Sequence, residues 1–339
     1  MDLDRYLATY RPSWDRLASL AARARRSPGS LDPAEADELV TLYQQVSTQL
    51  SFARNHFADP ALTAELTGIV AAANATLYRR TASPRAALRR FFVVSFPAAV
   101  WHLRAFVAVS AAATLLPVAV VGLWLATTEE ALAFAGPEAA RAAYVEEEFE
   151  AYYSSAPAGQ FATEVLVNNI QVSFLAFAAG VLFGIGTVLI LVYNGANLGI
   201  ALGLFIAAGE QARFWGLILP HGLLELSAVI VAGAAGMSLG WAVVAPGDRS
   251  RAGAFTDEAR RSVVVVLGLA LAFVVAGLIE GFVTPSSLPT VARVGIGLAV
   301  ELAAIAYVVG FGRRAAAQQL TGLAREGLEG PTARAVLRV

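Results

Sequence analysis

The pattern of apolar positions divides the chain near residue 103. Before it, apolar residues recur at helical spacing among charged ones. Beyond it, they fuse into long runs. In the first part, Leu39, Leu42, Val46, Leu50, Ala53 and Phe57 follow one another at three and four residues, a single stripe on a long helix. Asp32-Pro33-Ala34-Glu35 predicts where that helix starts, with Asp32 as N-cap, Pro33 in the first turn and Glu35 closing a capping box. A preceding helix is predicted over roughly 2–25, kinked or restarted at Pro12, and a third from Pro60 to about Tyr78. Residues 1–78 therefore read as an antiparallel helical bundle. Its His56 reads as a surface or groove histidine in preference to a ligand.

Six hydrophobic segments follow, at about 104–126, 169–193, 196–208, 215–243, 262–283 and 291–311. Most approach or exceed the ~20 residues that span a bilayer. The third is short: 13 residues cover about 20 Å of a ~30 Å hydrocarbon core, so a re-entrant hairpin is the alternative to a crossing. Composition agrees with a membrane protein. Of 339 residues, 57% are hydrophobic and 15% charged, against ~25% charged in soluble domains. Cysteine is absent, which excludes disulfides and thiolate metal sites. Residues 1–14 carry acids and no apolar core, so they do not read as a cleavable signal peptide.

The net charge of −1 hides an asymmetry. With six crossings and the N-terminus inside, 22 of the 25 basic residues, all arginine, fall inside; only Arg141, Arg213 and Arg293 fall outside. A non-crossing third segment would move the arginines at 249–261 and after the last span to the outside. The reading is therefore an all-α, six-helix polytopic membrane bundle with an N-terminal cytoplasmic helical domain and both termini cytoplasmic. The bundle spans 104–312, its first external loop 127–168, and a cytoplasmic tail 313–339. Between head and bundle, 79–103 carries Arg79, Arg80, Arg85, Arg89 and Arg90 interleaved with Phe91, Phe92, Phe96 and Trp101, the pattern of a basic interfacial helix on anionic headgroups. A solvated linker is the plainer alternative. Nucleic acid is disfavoured, because the run abuts the membrane and no groove-reading motif accompanies it. In the external loop, Glu146, Glu147, Glu148 and Glu150 beside Tyr144, Phe149, Tyr152 and Tyr153 read as a short interfacial helix, a partner surface or a merely solvated loop.

Polar groups at membrane depth carry the candidate chemistry. His221 and Glu225 lie four apart, hence on one helix face. Glu280 ends the fifth span and Glu301 sits mid-way in the sixth. Such carboxylates are costly in hydrocarbon and face the interior or a hydrated cavity. Depth counting groups His221, Glu225 and Glu280 with Asn168 and Asn169 on the exterior side, and sets Asn194 and Asn197 on the cytoplasmic side. A site and a hydrogen-bonded staple both fit. The repeats Gly180-x-x-x-Gly184, Gly195-x-x-x-Gly199-x-x-x-Gly203 and Gly236-x-x-x-Gly240 predict close helix packing and a surface for a homodimer. No His-Glu-x-x-His, nucleophile elbow or phosphate-binding loop occurs, so no cofactor, metal or catalytic residue is assigned.

Several of these runs resemble the stage II sporulation protein M family. They are Asn168 through Phe177 with Gly180 and Gly184, then Asn194-Gly195 and Leu198-Gly199, Leu219-Pro220-His221-Gly222-Leu223-Leu224-Glu225, and Leu278 through Pro285. The helical head, with Ser83-Pro84-Arg85 and Phe96-Pro97, looks like the longer branch found beyond spore formers. The resemblance implies a membrane scaffold for a cell-wall-degrading complex, which in the sporulation member is partnered with a lytic transglycosylase and an amidase. For the broader branch it implies RDD-family, DUF58 and MoxR-type ATPase partners. No catalytic role for His221 or Glu225 comes with it. The leading expectation is thus a scaffold or assembly protein in envelope remodelling, not an enzyme. Alternatives are a transporter or channel for a small solute or proton using His221, Glu225, Glu280 and Glu301, and an intramembrane hydrolase.

Overall fold

The computed structural model describes residues 2–27, 30–57, 59–77, 84–148 and 158–323, and among them all regular structure is helical. Residues 1–83 and 84–339 form two compact units. In the first, α1 (Leu3–Arg26), α2 (Pro33–His56) and α3 (Pro60–Leu77) each pack on the other two. The predicted capping box holds: Asp32 accepts from the Glu35 N–H at 2.7 Å and Glu35 reaches back to the Asp32 N–H. α1 runs as one helix through Pro12, without a restart. The α2 stripe turns inward with Trp14, Leu17, Leu20 and Leu66. Each such large apolar burial contributes about 1.5–3 kcal/mol. Gln49 ties the polar edges of this core, accepting from Trp14 Nε1 at 2.7 Å through its side chain and from Tyr6 Oη at 2.9 Å through its carbonyl. The ion pairs Arg11–Glu65, Arg16–Glu38 and Arg23–Glu35 lie on the surface, where such pairs contribute little. His56 is exposed and stacks on Phe52.

The second unit opens with α4 (Pro84–Arg90), a π-helical turn (Phe91–Ser95) and α5 (Phe96–His102). Of the helix predicted over 79–103, residues 84–102 are helical without a break. Arg85 and Arg89 are exposed and Arg90 half-buried, but residues 96–100 are buried. Polarity divides this segment along its length and not by face, because Phe96 fills the gap left by the missing side chain of Gly268. Arg79 and Arg80 lie outside the described residues. α6 (Arg104–Thr127) follows, then α7 (Glu129–Phe134), α8 (Glu138–Ala143) and a π turn (Tyr144–Glu148). Val145 is buried beside Phe205 and Phe214. Arg213 donates to the carbonyls of Val145 and Glu146 at 3.3 Å each. Phe149, Glu150, Tyr152 and Tyr153 fall outside the described residues.

The remaining helices are α9 (Ala158–Ala178), α10 (Ile185–Ala207), α11 (Gln211–Val244), α12 (Arg251–Leu278, continued by a π turn over Ile279–Val283) and α13 (Thr290–Ala317). Five helices are long and apolar enough to cross a membrane: α6, α10, α11, α12 with its π turn, and α13. A shorter apolar stretch, Val167–Val181, belongs to α9 and the turn after it.

The boundary between the second and third segments is corrected. The sequence reading puts it at Asn194-Gly195; the chain turns instead at Leu182-Phe183-Gly184, and α10 runs unbroken through Asn194 and Asn197. These two asparagines therefore lie inside a helix. The short segment is α9, whereas α10 at 23 residues rises about 35 Å. Close backbone packing explains the misreading. Gly184 takes φ 79°, a conformation that favours glycine. A Cβ at Gly180 would lie 2.1 Å from the Gly236 carbonyl oxygen, and one at Gly240 2.3 Å from the Gly184 nitrogen. Gly195 and Gly199 instead meet the α6 backbone at Thr114 and Val118. The glycine repeats are thus spent inside one chain, on α9–α11 and α6–α10.

Candidate functional site

α11 carries the site. Pro220 lies inside the helix and lacks the N–H that would bond one turn back. Gly297 of α13 packs directly on the Leu219 and Pro220 carbonyls. One residue on, His221 begins a face that Glu225 continues one turn later. The two are 2% and 4% exposed.

Glu280, at 1% exposure, approaches this face from the π turn ending α12. The wider turn is closed by the Thr284 N–H donating to the Ile279 carbonyl at 3.0 Å. It aims Glu280 and Thr284 at the same histidine: Glu280 Oε1 is 3.7 Å from His221 Nε2, and Thr284 Oγ1 is 3.2 Å from Nδ1. π turns of this kind recur at functional sites. From α9, Asn169 donates to Glu225 Oε2 at 2.6 Å. Arg293, at the start of α13, donates to the Thr284 carbonyl and, at 3.1 Å, to Thr290 Oγ1. Glu225 Oε1 and both Glu280 oxygens are buried without a hydrogen bond.

Of the residues singled out in the sequence, the structure thus gathers His221, Glu225, Glu280 and Asn169. The hydrogen bonds described for His221 and Glu225 go to Thr284 and Asn169 respectively. Asn168 is exposed, pointing away one helical step from Asn169. Glu301 stands apart. It accepts from Ser227 Oγ at 2.7 Å, and Ser227, two residues beyond Glu225, lies on the opposite side of α11. Among the family-motif residues, Asn194 is half-buried in α10, Gly195 and Gly199 serve packing, and Gly222 meets the Ile218 side chain. Among the described residues, no three His, Cys, Asp or Glu side chains gather as a metal site.

A second buried polar set went unread in the sequence. Glu258 and Arg261 form an ion pair within α12, at 6% and 3% exposure. Ser238 of α11 donates to Glu258 at 2.9 Å, and Arg261 donates to the carbonyl and hydroxyl oxygens of Thr321, each at 2.9 Å. This pins the segment after α13, where Gly322 sits buried against Ala99. The only advance signal was the spacing of three between Glu258 and Arg261, at the edge of an apolar run.

Comparison with known proteins places these groups. Residues 111–285 match the family described as Stage II sporulation protein M, a stretch that contains His221, Glu225 and Glu280 but not Glu301. Residues 4–79 match a domain of unknown function, DUF8413. An uncharacterized protein of Methanocaldococcus jannaschii is 30% identical over 123 residues, 36% of this chain and 69% of that protein. No solved structure matches.

Proposed function

The chain belongs to the stage II sporulation protein M family, and from that premise we propose that it is a non-enzymatic membrane scaffold in cell-envelope remodelling, acting through protein partners. One observation carries the reading. His221, Glu225 and Glu280, contributed by α11 and the end of α12, are 1–4% exposed; across helices Asn169 bonds Glu225 and Thr284 bonds His221, and Glu280 lies 3.7 Å from His221. Burial of this kind supports a lock between α9, α11 and α12 over an open vestibule.

In this reading the chain sits in the cytoplasmic membrane with six crossings. α9 is the sixth, since its 21 residues rise about 32 Å, and the arginine asymmetry puts both termini inside. Arg79, Arg80, Arg85, Arg89 and Arg90 then face anionic headgroups. Partners are envelope or membrane proteins, of the RDD, DUF58 and MoxR-type ATPase kinds that the family resemblance suggests. A homodimer uses surfaces other than the glycine repeats, which are filled within one chain. The topology is checked by single introduced cysteines: Ser155→Cys labels from outside and Ser250→Cys does not.

Glu225→Gln and Glu225→Leu test the scaffold reading. The first keeps shape and hydrogen bonding without charge, and is expected to fold and to support the cell's envelope phenotype. The second is expected to lose the fold. A Glu225→Gln chain that folds normally but fails in the cell assigns the group a protonation role. The second reading, transport of a small solute or proton, is favoured by the unbonded oxygens of Glu225 and Glu280, since intramembrane carboxylates of that kind mark proton and ion paths.

A further inference from the structure

Away from the His221 group, residues of α5, α6, α11, α12 and α13 line a half-open cavity of about 830 Å³, within the ~300–1,000 Å³ typical of ligand sites. Its lining is almost wholly apolar. Val100, Ala228 and Leu269 are buried in its walls, at 3–6% exposure, while Leu115, Leu271 and Ile305 stand half exposed on the membrane-type faces of α6, α12 and α13. A cavity bordered by such faces is reached through the hydrocarbon of the bilayer.

The wall has one buried carboxylate. Glu301 is 8% exposed, and Ser227 satisfies only its Oε1; Oε2 is buried and has no hydrogen-bond partner. A buried acceptor without a donor is costly, by about 1–3 kcal/mol, and a donor brought by a ligand removes that cost. The Tyr307 hydroxyl, also on the lining, does not serve, because it donates to the Phe92 carbonyl. Arg104, the one cation on the lining, lies exposed over the Trp101 ring and donates to the Trp101 carbonyl.

We propose that this cavity is a lipid-binding site for a neutral, hydroxyl-bearing membrane lipid of the diacylglycerol type, one acyl chain filling the apolar part and the hydroxyl donating to Glu301 Oε2. The lining itself selects the occupant. An apolar cavity open to hydrocarbon admits an acyl chain, the single unpaired acceptor beside Ser227 takes one donor, and the apolar lining around it disfavours a charged headgroup. A helix of apolar side chains would fill the volume and leave Oε2 unpaired.

The test is photolabelling of the full chain in nanodiscs with a diacylglycerol carrying a diazirine in mid-chain. Peptides from α6, α12 and α13 are expected to take the label. Unlabelled diacylglycerol displaces it, and triacylglycerol, with the same chains and no hydroxyl, does not. Glu301→Leu lowers the displaceable labelling about tenfold, equivalent to ~1.4 kcal/mol. Ile305→Trp lowers it by obstructing the exposed rim at an unchanged unfolding midpoint, and decides the matter if Glu301→Leu does not fold. Displacement by triacylglycerol equal to that by diacylglycerol means general contact with surrounding lipid and overturns the proposal, as does labelling that survives both variants. Labelling present in nanodiscs but absent in native membranes means that a partner's apolar segment fills the cavity, and overturns it as well.

Discussion

α11 meets buried ionisable groups in both of its halves, and they are balanced by different means. Toward its C-terminal end, Ser238 bonds a carboxylate that has a full cation beside it: Glu258 pairs with Arg261, and Arg261 spends further donors on Thr321. Toward its N-terminal half, Glu225 and Glu280 receive one amide and a histidine 3.7 Å away, and three of their four oxygens make no hydrogen bond. Burial is equal in the two places. Charge balance is not. The first set is a closed ion pair that fastens the segment after α13, and the second is held by neutral donors from separate helices.

The difference predicts unequal consequences of mutation. The largest follows Arg261→Met, which strands Glu258 without its cation. Losing one partner of a buried pair costs about 3–5 kcal/mol, read as a lowered unfolding midpoint in mixed micelles, and Arg261→Met with Glu258→Leu recovers most of it. If Arg261→Met alone is silent, the ion pair is not the fastening. A smaller loss follows Asn169→Ala, which leaves Glu225 Oε2 without its donor at about 1–3 kcal/mol by the same assay; an unchanged midpoint would detach α9 from the cluster.

The smallest effect belongs to the surface pairs of the first unit. Hydrogen bonds from Arg23 and Arg16 hold the Glu35 and Glu38 carboxyls below the usual carboxylate range. A depressed carboxyl stabilises the fold at neutral pH, and the contribution is lost as pH falls through its ordinary value and below. Both side chains are solvent-facing, so screening leaves little of it. Glu38→Gln is expected to leave the pH 7 midpoint within error and to flatten slightly the acid side of a stability–pH profile. A clear loss at pH 7 would show that the surface pairs matter more than their exposure suggests.

Much of this organisation was legible in the residues. Asp32-Pro33-Ala34-Glu35 forms the predicted capping box because its hydrogen bonds are local. The spacing of His221 and Glu225 puts them on one face for the same reason. Depth counting already groups Asn169 with Glu225, 56 residues later in the chain; illegible was Thr284, 63 residues after His221, which only the fold brings to the histidine. The α9–α10 turn was misplaced because Asn194-Gly195 carries an ordinary turn signal, whereas Gly195 in fact lets α10 approach the α6 backbone. Arg261 was counted only as a charge at the rim of a span, since nothing local marks a guanidinium that the chain after α13 will cover.

The central claim is that the His221–Glu225–Glu280 group holds helices and carries nothing across. Proton flux into proteoliposomes, followed with an entrapped pH-sensitive dye under an imposed gradient, tests it most directly with wild type and Glu280→Gln side by side. The account predicts flux equal to that of protein-free vesicles for both chains. Flux above that baseline in wild type, abolished by Glu280→Gln in a chain that still folds, contradicts it.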